Sequence, residues 1–256
     1  MKLELVKKLR AETGIPLLKC QQALAESGDD LAKAREFLRK TGEAAAAKKA
    51  ERSTKEGRIA LKIAERKGVA VSVFCETDFV ARGDEFVKLT EEIAELALAK
   101  GVAAAHTEAA DLLKAKIQKI GENISLGEIQ VLAGEALASY LHSNGKIGVL
   151  VALKQGSKEV GKEVAMQIAA MNPTYLQPTD VPAELIAKEK EIQKVLLQNS
   201  GKPAAIWDKI LEGKIRKFCE GQSLLKQAFV KDPSKTVEKF LAEMETEIAD
   251  FVRLKI

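Results

Sequence analysis

The sequence predicts a multidomain α+β protein, and three observations carry that prediction. Apolar residues recur with a helical period over the first 42 residues and again over 183–221. Between these stretches the period switches to two, in short runs bounded by turn residues. Two of the runs, Gly68-Val69-Ala70-Val71-Ser72-Val73 and Gly148-Val149-Leu150-Val151-Ala152-Leu153, lie 80 residues apart and share one pattern. The expected architecture is an amino-terminal three-helix bundle, two duplicated hairpin-plus-helix subdomains, and an inserted antiparallel helical hairpin.

Leu3, Val6 and Leu9 open the first helix, which Thr13-Gly14-Ile15-Pro16 stops with a Gly followed by a Pro. A second helix runs from about Leu17 to Glu26. The aspartates of Ser27-Gly28-Asp29-Asp30 can cap a third, which carries Leu31, Ala34, Phe37 and Leu38 and is expected to end at Thr41-Gly42. Three helices this short form a bundle of the ubiquitin-associated (UBA-like) type over 1–42. Residues 43–57 follow as a linker, with Lys48, Lys49, Arg52 and Lys55 and no apolar stripe. It reads as a solvated, partly helical connection or as a basic contact patch.

The first core subdomain spans 58–136. Ile59, Leu61 and Ile63 alternate, turn through Glu65-Arg66-Lys67-Gly68, and return as Val69, Val71 and Val73. Gly83-Asp84 starts a helix with Phe86, Leu89, Ile93 and Leu96 that stops at Gly101. A helix over Ala110–Ile120 and a strand through Ile124, Leu126, Ile129 and Val131 complete the unit. The second subdomain, 137–182 with 222–256, repeats the hairpin through Ser143-Asn144-Gly145-Lys146 and follows it with a helix bearing Val164, Ile168 and Met171. Pro173, Pro178 and Pro182 mark its exit. The arm, 183–221, has Leu185, Ile192, Val195 and Leu196 on one helix and Ile206, Ile210, Ile215 and Phe218 on the other, joined by Asn199-Ser200-Gly201-Lys202-Pro203. It is expected to be a coiled coil. Asp232-Pro233-Ser234 is expected to cap a last helix, and 251–256 to return as a strand to the second sheet.

Composition narrows the function. The 256 residues are 46% apolar and 30% charged, with 41 Lys plus Arg against 37 Asp plus Glu, a net charge of +4. That balance is too mild to demand nucleic acid or a membrane. Cys20, Cys75 and Cys219 form no CxxC pair and, with only His106 and His142, assemble no metal site of standard spacing. The charged amino terminus is not a signal peptide, and no apolar run approaches the ~18 residues of a membrane span. A reducing, cytoplasmic setting is expected, with no cofactor.

The motifs that suggest catalysis fail on inspection. Gly156, four residues, Gly161 and Lys162 stand between a strand and a helix as a P-loop would, but Glu163 occupies the Ser/Thr position that binds magnesium. Cys75 has no base beside it and reads as a buried strand residue. His142 has no identifiable acidic partner and reads as a surface or interface residue, and Trp207 as packing within the arm. Nothing assembles an enzyme.

The informative segment is Thr77-Asp78-Phe79-Val80, which joins the first hairpin to its helix. The equivalent junction, Lys154-Gln155-Gly156-Ser157, has no aromatic. Phe79 either folds back onto the core or stands out as a wedge that enters a partner, with the Asp78 carboxylate beside it.

Six segments together resemble the bacterial translation elongation factor Ts family over essentially the whole chain. They are Leu9-Arg10 with Thr13-Gly14, Cys20 and Ala23-Leu24; Thr77 to Ala81; Lys119 to Ile124; Tyr140 with His142; Ile147 to Val151; and Pro233 to Val237. The resemblance implies a guanine-nucleotide exchange factor that binds elongation factor Tu and itself binds no nucleotide, DNA or RNA. It implies that Thr77, Asp78, Phe79 and Val80 displace magnesium from the partner. Gly14, Ile15, Pro16, Leu17 and Leu18 would dock on the partner's G domain, and His142 would grip another of its domains. Many members continue past the position of Ile256 with one more partner-contacting helix, so that contact is not expected here. Met1 directly before the bundle suits a free bacterial protein rather than a trimmed organellar one. Two rival expectations are a UBA-like adaptor without exchange activity and a nucleic-acid binder using 48–67.

Overall fold

The computed structural model describes residues 3–199, 203 and 206–256. Its first three helices, α1 (Leu3–Thr13), α2 (Leu17–Glu26) and α3 (Leu31–Lys49), close around Val6, Leu9, Cys20, Leu24 and Leu38. Gly14 ends α1 at φ +67, and Pro16 starts α2 at φ −52. Asp30 Oδ1 accepts the amides of Ala32 (2.8 Å) and Lys33 (3.1 Å) at the start of α3.

The third helix does not stop at Gly42. It runs seven residues further, because Gly42 is a contact rather than a terminus. With no side chain at 42, Gln118 packs directly on the helix and donates from Nε2 to the Leu38 carbonyl at 2.6 Å. One turn on, Ala46 enters the core of the first subdomain, and Lys49 Nζ donates to the Gly121 carbonyl. The segment expected as a solvated linker is therefore half helix, with an apolar side.

Strands β1 (Glu56–Ala64), β2 (Lys67–Cys75) and β3 (Ile124–Ala133) form one antiparallel sheet in the order β1-β2-β3. Strands β4 (Ala136–Leu141), β5 (Ile147–Gln155) and β8 (Glu247–Lys255) form a second, β4-β5-β8, so the carboxy-terminal strand returns as expected. The two sheets pack face to face through Ile59, Ala70, Leu132, Leu137, Leu150 and Leu254. The outer face of the first sheet is covered by α5 (Asp84–Lys100) and α6 (Val102–Ile120). The outer face of the second is covered by α7 (Lys158–Met171) and α10 (Val237–Glu243). Central strands β2 and β5 are thus buried from both sides, which explains their nearly unbroken apolar sequence.

The duplicated glycines mark the closest approach. A Cβ on Gly68 would lie 3.2 Å from Leu150, and one on Gly148 would lie 2.6 Å from Ile59. The cap positions repeat with the same 80-residue offset: Thr77 Oγ1 accepts the Val80 amide and Ser157 Oγ the Val160 amide. The continuations differ. After Ser157 the chain runs straight into α7, whereas Thr77 starts a single turn, α4 (Asp78–Arg82), before Gly83 breaks it and α5 begins. The junction expected as a loop is therefore helical.

Three further expectations change. Helix α6 begins at Val102, directly after Gly101 at φ +88, rather than at Ala110. Asp232-Pro233-Ser234 caps no helix: it lies in β7 (Asp232–Thr236), paired with β6 (Ala228–Phe229), and Thr236 caps α10 by accepting the Lys239 amide at 3.3 Å. In the arm, α8 (Ala183–Gln198) packs on α9 (Trp207–Gln222) through Ile186, Leu211, Ile215 and Phe218. Leu185, Ile192, Val195 and Leu196 face solvent instead. They form a second stripe offset by one residue from Ile186 and Leu197, and period alone does not say which stripe is buried. Of the expected arm turn, Ser200, Gly201 and Lys202 lie outside the described residues, as does Met1.

In an exposed helix, Gly→Ala adds about 1 kcal/mol of stability. At Gly42 the new Cβ would lie 2.5 Å from Gln118 Oε1, and relief would break the Gln118–Leu38 bond. Gly42→Ala is expected to lower unfolding free energy by about 1–2 kcal/mol. In a Gln118→Ala background the same change should raise it, and urea denaturation of the four proteins reads the reversal of sign.

Candidate functional site

The residues that suggested catalysis are occupied by packing. Gly156, at φ +111, lies against Thr246, and Gly161 lies against Ala138 and Leu153. Glu163 pairs with Lys231 at 3.0 Å. The P-loop resemblance therefore records close contacts and not a phosphate cradle. Cys75 is fully buried, and burial, with the Glu122 carboxylate next, pushes its thiol up to about 12. No thiolate forms there at neutral pH. Among the described residues no group of three His, Cys, Asp or Glu could hold a metal ion, and no helix is long and apolar enough to cross a membrane.

What remains is α4. Strand β2 ends at Cys75, and the next two residues meet a carboxylate from the chain just ahead of the neighbouring strand β3. Glu122 Oε2 accepts the amides of Glu76 (3.1 Å) and Thr77 (3.0 Å), while Oε1 accepts the Thr77 hydroxyl at 2.7 Å. That same hydroxyl accepts from Val80, so one oxygen links the clamp to the first turn of α4. Glu76 Oε1 in turn accepts the Asn123 amide at 2.6 Å, and Arg52 lies 3.4 Å away. The Asn123 amide, more than Arg52, holds the Glu76 carboxyl below the ordinary carboxylate range.

On this mount Ala81 faces the core and Val80 packs against it, while Phe79 stands out with 85% of its surface exposed. The ring does not fold back. Asp78 bonds Arg82 across one turn at 3.1 Å, both partly exposed. Thr77 and Val80 therefore fix the turn, and Asp78 and Phe79 are what it presents.

Two grooves flank α4. One, an open hollow of about 400 Å³, is lined by Phe79, Val80, Phe86, Lys119 and Ile120, and by Gly14 of the bundle. Lys119 spans its floor, pairing with Glu85 and packing under Gly14, where a Cβ would lie 2.7 Å from its Cε. This pairing holds the Glu85 carboxyl below its ordinary range. The other groove runs from Asp78 and Arg82 to Ser143 and Asn144 of the β4–β5 turn. Gly14 of the bundle and the turn that follows His142 thus flank one short helix, while His142 itself lines neither groove.

Residues of these two segments differ in availability. Leu17 and Leu18 are exposed, Leu18 at 78%, and Pro16 is exposed with them. Ile15 is not: at 6% exposure it belongs to the bundle core, and its carbonyl accepts the Cys20 thiol. Leu18 is therefore open to solvent at this surface and Ile15 is not. His142 is exposed at the turn, with Nδ1 bonded to the Tyr140 hydroxyl at 2.9 Å. Sequence reasoning missed Glu76, Lys119 and Glu122 because their contacts cross 34 to 47 residues of chain. The available signals were the family likeness of Lys119 to Ile124 and the glycine stop at Gly121, after which the chain enters β3.

The family model described as Elongation factor TS matches residues 76–256. An elongation factor Ts of Pasteurella multocida (strain Pm70) is 43% identical over 255 residues, covering 98% of this chain and 90% of that protein. That of Actinobacillus pleuropneumoniae serotype 5b (strain L20) is 44% identical over 98% of this chain and 89% of its own. That of Vibrio parahaemolyticus serotype O3:K6 (strain RIMD 2210633) is 43% identical over 98% and 90%.

Thr77→Val keeps the shape and removes the hydroxyl. Loss of a helix cap costs about 1 kcal/mol, so the Val80 and Ala81 amides should exchange with deuterium about fivefold faster, with amides in β2 unchanged. Acid should loosen the same corner. Folding depresses the Glu76 and Glu85 carboxyls, so their stabilisation is complete above about pH 4.5 and fades as pH falls through their lower folded values. Protection factors at α4, each taken against the intrinsic exchange rate at the same pH, should fall from pH 5 downward before those of the core strands.

Proposed function

The chain belongs to the elongation factor Ts family, and from that membership we propose that it is a guanine-nucleotide exchange factor for elongation factor Tu. It acts in the cytoplasm during polypeptide elongation and makes or breaks no covalent bond. The observation that carries the reading is the exposed Phe79 on a capped, clamped turn. A large ring left in solvent on a rigid support suits insertion into an apolar slot of a partner.

In this reading the GDP-bound partner holds its nucleotide jointly through magnesium and phosphate contacts. Phe79 wedges into the G domain, and Asp78, released from Arg82, disturbs the surroundings of the metal. The UBA-like bundle docks beside it through Gly14, Pro16, Leu17 and Leu18, and His142 grips a second domain. The coiled-coil arm is assigned no contact. Thermodynamic linkage requires that whatever weakens GDP binding be weakened equally by GDP. The factor therefore favours the nucleotide-free partner and leaves when nucleotide returns.

Stopped-flow release of fluorescent GDP from elongation factor Tu tests this. The parent should accelerate release. Phe79→Ala should lose about 30- to 1,000-fold of that acceleration, the equivalent of a 2–4 kcal/mol aromatic anchor, and Asp78→Ala should lose less. Acceleration that survives both substitutions in folded protein would remove the wedge. No acceleration at saturation would favour an adaptor that uses the bundle alone.

A further inference from the structure

We propose that Glu122 is a positioning residue for exchange: its carboxylate fixes the direction in which Phe79 and Asp78 leave the core. The inference rests on the exchange reading and deepens it. Helix α4 has five residues, too few to hold itself, since helix nucleation is unfavourable and short helices depend on outside contacts. Its orientation must come from its attachments. On the amino-terminal side these are the three donors that converge on Glu122.

The clamp is itself held at both sides. Gly121 turns the chain at φ +94 with its amide on the Ile117 carbonyl, so Glu122 leaves the end of α6 in a set direction. The next residue, Asn123, donates its amide to Glu76 and its side chain to the Arg52 carbonyl at 2.8 Å. Each glutamate thus accepts from backbone next to the other, tying the start of α4 to the α6–β3 corner at two points. The two carboxylates at this corner are accommodated because N–H and O–H donors meet each of them and Arg52 stands by Glu76.

The duplicated half supplies a control. Ser157 occupies the position of Thr77 and caps α7 in the same way, but its hydroxyl meets Glu159 of its own first turn. Helix α7 has 14 residues packed along a sheet and needs no clamp from elsewhere. The carboxylate clamp from the α6–β3 corner is found in the half that carries the exposed ring.

Glu122→Gln keeps the shape but replaces one acceptor oxygen with a donor that faces donors. The test is a double-substitution cycle with Phe79→Ala, read as GDP release from elongation factor Tu at saturating factor, with melting curves for each protein. Glu122→Gln alone should slow release about tenfold, and raise the half-saturating concentration less than about threefold, because the bundle contacts persist. In the Phe79→Ala background the same change should alter the rate less than about threefold, since only Asp78 remains to misdirect. Effects that multiply, or a single-variant rate within twofold of the parent, would overturn the assignment. A second readout needs no partner. In protein labelled with fluorophenylalanine, the Phe79 resonance, identified by its loss in Phe79→Ala, should shift or broaden in Glu122→Gln while the other seven stay. An unmoved Phe79 signal would also overturn it. Failure of the parent to release GDP would refute the exchange reading separately.

Discussion

The contact between the two sheets is the constraint on which the rest depends. Each central strand is pressed by helices on one side and by the other sheet on the opposite side, so β2 and β5 have no face left for polar chemistry. Glycines 68 and 148 let the sheets close: a Cβ on Gly148 would overlap Ile59, and one on Gly68 would crowd Leu150. The cysteine at the end of β2 is sealed and stays protonated. Chemistry and contact are consequently displaced to the rim, where strands end and the chain must turn.

At that rim the first half departs from its duplicate. One helix runs on from Ser157, while the other is broken after a single turn at Gly83, and the broken turn carries Phe79. A ring exposed on a loose loop would lose conformational entropy on binding. A ring on a capped, clamped turn has lost most of it in folding, which leaves more of its burial for the complex.

The same economy governs the bundle. Helix α3 continues without interruption into the first subdomain, Gln118 locks against Gly42, and Lys19 and Lys49 both donate to carbonyls at the end of α6. Those carbonyls carry the negative end of the helix dipole, so the two lysines satisfy acceptors and charge at once. Burial, more than its basic neighbours Lys19 and Arg52, lowers the Lys49 ammonium from its ordinary value. The bundle is therefore fixed relative to α4, and the width of the groove between Gly14 and Phe79 is set by packing rather than by a tether.

The sequence by itself determined the type of most of the longer elements, the duplication, the pairing of the hairpins and the segment that carries Phe79. Each of these is written in local period or in turn chemistry, or in the likeness of one segment to another. It also argued against a P-loop, since Glu163 is wrong for magnesium on chemical grounds alone. Only the tertiary structure decided the fate of Gly42, of Ile15 and of the apolar stripes on α8. Glycine stops a helix or admits a neighbour according to what lies outside it, and two stripes one residue apart are distinguished only by the partner that covers one. The ring of Phe79 was ambiguous for the same reason. Whether an aromatic at a junction turns in or out depends on the mount beneath it, and here that mount is a carboxylate 45 residues away along the chain.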